Sequence, residues 1–158
     1  LRDMKINIEK LKLAAAKSKC KRRQVGAVGI LRKGIIPHCN QIVGGDYSIC
    51  DNCPREGQEH GNWSGNQECP AIHAEEAVIL NAAKYGYALN GATLLVTDKP
   101  CNRCSRLIVG AGFEKVIYLS DMGSSGGIDY LRKCGVEVER YQESDPIIKE
   151  NPDEGVLE

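Results

Sequence analysis

The sequence carries no excess of charge of either sign: 21 lysines and arginines balance 21 aspartates and glutamates. No overall field draws the chain to nucleic acid or to an anionic membrane, so a small substrate is the better expectation. Long apolar runs are missing as well. None approaches the roughly 20 residues that span a bilayer, and the first residues lack the hydrophobic stretch of a signal peptide; the expected location is the cytoplasm. Internal repeats and low-complexity segments are absent too. Tryptophan occurs once, as Trp63, in a polar stretch where covering hydrophobic surface is a better reading than stacking on a base. At 158 residues the chain suits one domain, 1–158, with a proper core, and is too short for two of ordinary size.

Cysteine, by contrast, is abundant, with eight residues. In a secreted chain that count suggests disulfides, but in a reducing compartment the spacing Cys-x-x-Cys more often holds metal. The spacing occurs twice, at Cys50/Cys53 and at Cys101/Cys104. Cys39 and Cys134 fall outside it and read as small buried hydrophobes.

Hydrophobic patterning gives the order of elements. Residues 6–19 place Ile6, Leu11, Leu13 and several alanines among lysines, which predicts a helix ending near Cys20. Val25 to Leu31 and the run beginning at Ile35 flank Arg32-Lys33-Gly34 and predict a hairpin. Ile42 to Pro70 has no periodicity and predicts a long, cysteine-rich insertion that something other than a hydrophobic core must hold. His73 to Lys84 is rich in strong helix formers, Ala92 to Thr97 reads as a buried strand, and Pro100 opens a helix through Val109. Strands at Lys115 to Leu119 and Val136 to Val138 enclose a helix near Ile128 to Lys133. The resulting order, αββαβαβαβ, predicts a layered α/β domain.

Two short motifs stand where helices begin: His73-Ala74-Glu75 and Pro100-Cys101-Asn102-Arg103-Cys104. A catalytic zinc takes three nitrogen or sulfur ligands and leaves the fourth tetrahedral position to water. His73, Cys101 and Cys104 supply those three. Cys101 and Cys104, at i and i+3, share a helix face, and a helix N-terminus favours their anionic forms. A carboxylate two residues after the histidine is poorly placed to bind the metal but well placed to move the protons of its water, which is the role expected of Glu75. The bland alternative, a purely structural zinc, lacks a fourth soft ligand nearby and leaves Glu75 without a purpose.

The His-x-Glu and Pro-Cys-x-x-Cys arrangement resembles the signature of zinc-dependent nucleobase deaminases. From about Cys20 to Val138 the chain is similar to the deoxycytidylate (dCMP) deaminase family. Cys20-Lys21-Arg22-Arg23-Gln24-Val25-Gly26-Ala27-Val28, the stretch from Cys50 to Cys69, Ala111 to Tyr118 and Gly135-Val136-Glu137-Val138 carry the likeness. The resemblance implies a three-layer α/β/α cytidine-deaminase-like fold with a central mixed sheet of about five strands. It also implies one catalytic Zn2+ per subunit, a small nucleotide substrate, and a homo-oligomer, dimer or hexamer. Asn40 and Ala74 match positions that contact substrate. Cys20, Cys50, Cys53 and Cys69 match a second, structural zinc site, with His60 or His38 as alternative ligands. Two departures stand out: His38-Cys39-Asn40-Gln41 replaces the family's usual Gly-Tyr-Asn-Gly, a stretch tied to substrate contacts and to regulation by dCTP and dTTP, and Ala77 replaces an asparagine after the His-Ala-Glu motif.

The resulting expectation is hydrolytic deamination of a cytosine deoxynucleotide, dCMP to dUMP and ammonia. Rival readings keep the fold and change the substrate to guanine, cytosine or tRNA adenosine, or keep the zinc and lose catalysis, leaving a regulatory or binding protein. RNA is disfavoured by the balanced charge. Arg22, Arg23 and Arg103 are open to two readings, a solvated surface or a phosphate contact. Tyr118 and Tyr130 are open between core, subunit contact and pocket wall.

Overall fold

The computed structural model describes residues 4–58, 68–142 and 155–156. The chain runs as α1 (Met4–Ala16), β1 (Gly26–Ile30), β2 (Gly34–Cys39), a 3-10 turn (Ser48–Asn52), α2 (Ala74–Tyr85), β3 (Thr93–Asp98), α3 (Asn102–Ala111), β4 (Lys115–Ser120), α4 (Gly126–Lys133), β5 (Glu137–Arg140) and β6 (Gly155–Val156). Helices and strands follow the predicted order through β5. α1 stops before its predicted end, and the chain from Ser18 onward turns toward the site instead.

The strands lie side by side in the order β5-β4-β3-β1-β2-β6. β1 and β2 form the expected antiparallel hairpin, β1 is also antiparallel to β3, and β3, β4 and β5 run parallel. The sheet is therefore mixed. Patterning predicts about five strands, and β6 adds a sixth by pairing in parallel with Gly34 and Ile35. A strand of two residues has no alternation for a sequence to display.

Alternation along the strands sorts the core into two halves. Ala27, Ile36, Leu94, Val96 and Val116 meet Ala74 and Val78 of α2, Ile108 of α3 and Leu131 of α4. Their sequence neighbours Val28, Ile35, Leu95 and Ile117 point to the opposite face, where Ile8 and Leu11 of α1 cover them. Three layers result, with α1 on one side and α2, α3 and α4 on the other. Burial on both faces is why β1 and β3 read as unbroken apolar runs. Tyr118 belongs to this core, whereas Tyr130 is partly exposed. No helix among the described residues is long and apolar enough to cross a membrane.

The polar stretch leaves and rejoins the fold at one antiparallel pair. Gln41 and Ile72 exchange backbone hydrogen bonds of 3.1 and 2.8 Å, closing the base of the segment just before His73. Further out, the Arg22 guanidinium donates to the carbonyl oxygens of Arg55 and Gln58, the latter at 2.7 Å. Trp63 and His60 lie outside the described residues.

Candidate metal centre and substrate cavity

α2 and α3 each begin with a candidate ligand at the N-cap. His73 (φ −75°, ψ 159°) and Cys101 (φ −73°, ψ 168°) both have extended backbone, one residue before the first helical turn. The sequence places them inside their helices; the structure moves each to the residue that caps it. That shift matters, because a cap residue's side chain folds back over the helix end instead of projecting from its flank. Cys104 follows on the first turn of α3, and its N–H donates to Cys101 Sγ at 3.4 Å.

The three donors converge. His73 Nδ1 lies 3.7 Å from Cys101 Sγ and 3.3 Å from Cys104 Sγ. Zinc bonds of about 2.3 Å to sulfur and about 2.0–2.1 Å to nitrogen, arranged tetrahedrally, set nitrogen and sulfur about 3.6 Å apart. The observed spacing fits that requirement. Among the described residues, these are the only three metal-ligating side chains whose donor atoms all lie within 4.8 Å of one another. The thiols are electrostatically linked: the hydrogen bond between them holds Cys101 down to about 4 and pushes Cys104 upward. Two sulfurs and one ring nitrogen at this spacing suit a soft or borderline cation such as zinc.

Glu75 sits beside these donors and is 4 % exposed. Burial raises its carboxyl to about 7, against the pull of His73, which lowers it. A carboxyl that exchanges its proton near neutrality suits general acid–base work. Its neighbour Glu76 does something different. Glu76 Oε2 accepts from the His73 backbone N–H at 2.7 Å and from Arg103 Nη2 at 2.9 Å, tying the start of α2 to the start of α3.

His73, Glu75 and Cys101 form part of the wall of a cavity of about 220 Å³. Asn40 and Ala74 line it as well. The Asn40 amide accepts from Val25 N–H at 2.9 Å and donates to the Arg23 carbonyl at 2.9 Å, so it also fixes the chain that enters β1. Each polar atom of that amide keeps a second lone pair or hydrogen for a ligand. The wall is rich in cations: Lys21, Arg22, Arg23, Arg55, Lys99 and Arg103. Arg23 is bound to Asp98 through two hydrogen bonds of 2.6 Å, a pairing across 75 positions that no motif announces. Asp98, Lys99 and Glu76 are the site residues that sequence reasoning misses.

Cys20, Cys50, Cys53 and Cys69 line the same cavity. The Cys50 thiol is pushed up, first by burial and then by Cys20, Cys53 and Cys69, but no three of these four sulfurs all lie within 4.8 Å of one another. Cys39 is half-buried with a raised pKa caused by burial. Cys134 is exposed, which corrects its reading as a buried hydrophobe: it ends α4 on the outer surface.

Residues 3–120 match the family described as the cytidine and deoxycytidylate deaminase zinc-binding region. The deoxycytidylate deaminase of Mycobacterium phage D29 is 36% identical over 110 residues, covering 66% of this chain and 84% of the phage protein. That of Enterobacteria phage T2 is 41% identical over 81 residues, which are 50% of this chain and 42% of the relative. The chain thus spans about two fifths of the T2 protein's length. Among solved structures, the dCMP deaminase of cyanophage S-TIM5, in complex with dCMP and dUMP, superposes with a TM-score of 0.70 at 28% identity, covering 87% of this chain and 96% of that one.

Proposed function

Because this chain belongs to the cytidine and deoxycytidylate deaminase family, we propose that it hydrolyses a cytosine deoxynucleotide, converting dCMP and water to dUMP and ammonia. The observation that carries this reading is the convergence of His73, Cys101 and Cys104 beside the buried Glu75, in the wall of a cavity bordered by cations. The cations favour a phosphorylated substrate over a bare base.

His73, Cys101 and Cys104 hold Zn2+, whose contribution when bound is to lower the pKa of its water to about 7. Glu75 acts as the catalytic residue. It takes a proton from the attacking water, passes it to the ring nitrogen beside the amino-bearing carbon, and then carries the second water proton to the departing amine. The atoms balance: oxygen joins the ring carbon, and the amino group leaves as ammonia. Burial supports this shuttle, since a desolvated carboxyl holds and releases protons near neutral pH. Asn40 and Ala74 are assigned to substrate contact. Ala74 is the first residue of α2, where a backbone N–H has no partner inside the helix.

Cys20, Cys50, Cys53 and Cys69 are assigned to a second, structural zinc, supported by their place on a common cavity wall. That metal secures the insertion, 42–70, of a single domain. A cytoplasmic location suits a chain whose function needs this many thiolates, because reducing compartments keep them free. Assembly as a homo-oligomer, dimer or hexamer, is supported by Leu80, Leu107 and Tyr130, which the outer helix layer leaves exposed.

The test is ammonia release from dCMP, dCTP, CMP, deoxycytidine, cytosine, guanine and adenosine, with zinc counted per chain on the same sample. Selective release from dCMP is expected. Silence on every cytosine compound by zinc-loaded protein overturns the substrate assignment.

A further inference from the structure

The cavity wall holds four arginines, Arg22, Arg23, Arg55 and Arg103, and the bonds of Arg22, Arg23 and Arg103 distinguish those three. Arg23 commits Nε and Nη2 to Asp98, both at 2.6 Å, which uses one whole edge of its planar fork. Arg22 commits both terminal nitrogens to backbone carbonyls of the insertion. Arg103 differs. Among the described residues its guanidinium makes a single bond, from Nη2 to Glu76 Oε2 at 2.9 Å, and its side chain is 57% exposed. The two lysines nearby are point charges already facing carboxylates, Lys21 on Asp51 at 3.2 Å and Lys99 on Asp121 at 3.4 Å.

Arg103 lines the cavity with most of its donors uncommitted among the described residues, yet its position is not left to chance. Glu76 is held by the His73 backbone N–H at 2.7 Å, and so fixes the guanidinium relative to the α2 terminus that carries the metal ligand and Glu75. A planar fork anchored at one corner keeps its remaining N–H groups in one plane, which suits two oxygens of a phosphate. Arg103 lies in sequence between the metal-ligand candidates Cys101 and Cys104.

We propose that Arg103, oriented by Glu76, grips the phosphate of the substrate and makes the site select a nucleoside monophosphate over the unphosphorylated nucleoside. This inference rests on the reading of the cavity as a cytosine-nucleotide site, and it assigns specificity to a residue lying inside the metal-binding motif. Arg23 and Arg22 then act on the wall itself, the first bracing the end of β3 and the second holding the insertion.

The experiment measures binding of dUMP and of deoxyuridine by calorimetry to zinc-loaded wild type, Arg103→Met, Arg103→Lys and Glu76→Gln, with zinc counted in each. Wild type binds dUMP more tightly than deoxyuridine. Arg103→Met weakens dUMP by about 10- to 100-fold, as expected for charge-assisted hydrogen bonds, and leaves deoxyuridine within about twofold. Arg103→Lys recovers part of the loss, because charge remains while the fork is gone. Glu76→Gln falls between wild type and Arg103→Met. An equal loss for both ligands, unchanged dUMP binding, or a wild type that ignores the phosphate overturns the proposal. Retained discrimination through Arg103 in a protein that releases no ammonia from dCMP instead sinks the proposed reaction and leaves this assignment standing.

Discussion

Glu75 and Glu76 are adjacent and chemically identical, but the helix start separates their tasks. Glu75 turns into the cavity and is almost fully buried, while Glu76 satisfies a backbone donor and an arginine. Glu75→Gln keeps the shape and all three metal donors while removing the proton carrier. Zinc content is expected to stay unchanged while turnover falls about 10²- to 10⁴-fold, measured as ammonia release beside metal analysis; equal activity defeats the shuttle. Glu75, His73, Cys101 and Cys104 are legible from spacing alone, since each short motif keeps its members on one helix start. Arg23 with Asp98 is not, because those residues meet only when β1 and β3 pair. Cys134 misleads for a related reason: a cysteine at a helix end shows no pattern that says which way it faces.

Among the elements, α4 has a job that its sequence hides. Gly127 opens its first turn so close to the turn carrying the first cysteine ligand that an added Cβ would clash with the Pro100 carbonyl oxygen. The same Cβ would lie 2.7 Å from Ser105 Oγ and 3.0 Å from the Cys101 carbonyl carbon. Gly127→Ala is therefore expected to destabilise the protein by about 1–3 kcal/mol, as overpacking does. Gly110, on the exposed side of α3, has nothing within 4 Å of its Cβ position. Gly110→Ala is expected to stabilise by about 0.5–1 kcal/mol through helix propensity. Urea unfolding of the pair checks both, and similar shifts in the two variants remove the close-packing argument. For the insertion, Cys53→Ser is expected to lower both the melting temperature and the zinc content, because it takes one thiolate from the second metal. An unchanged melting temperature speaks against that site. Helix and strand types are readable here because α2 is rich in helix formers and β1 and β3 are short apolar runs; the caps are not, since one residue of offset leaves those patterns untouched.

At the scale of the molecule, the metal donors join two helices that otherwise meet mainly through side-chain packing above the sheet. Stripping the metal with a chelator is expected to lower the melting temperature and stop ammonia release together, with zinc restoring both, because a ligand bound only by the folded state stabilises it by mass action. Loss of activity without a shift in melting temperature indicates that the donors add no stability. The layering was open to sequence reasoning through the two-sided burial of β1 and β3, but the side on which each helix packs was not, since alternation marks two faces without saying which element covers either. The pairing of Gln41 with Ile72 bears on the history open to this chain. A segment whose two ends are fastened side by side can lengthen at a cost in loop-closure entropy that grows only slowly, although Arg22 also holds this one at Arg55 and Gln58. The stretch between those residues can thus change in length while the register of the sheet stays fixed, but its Cys50, Cys53, Arg55 and Cys69 line the cavity, so a change of content there reshapes the wall that a substrate meets.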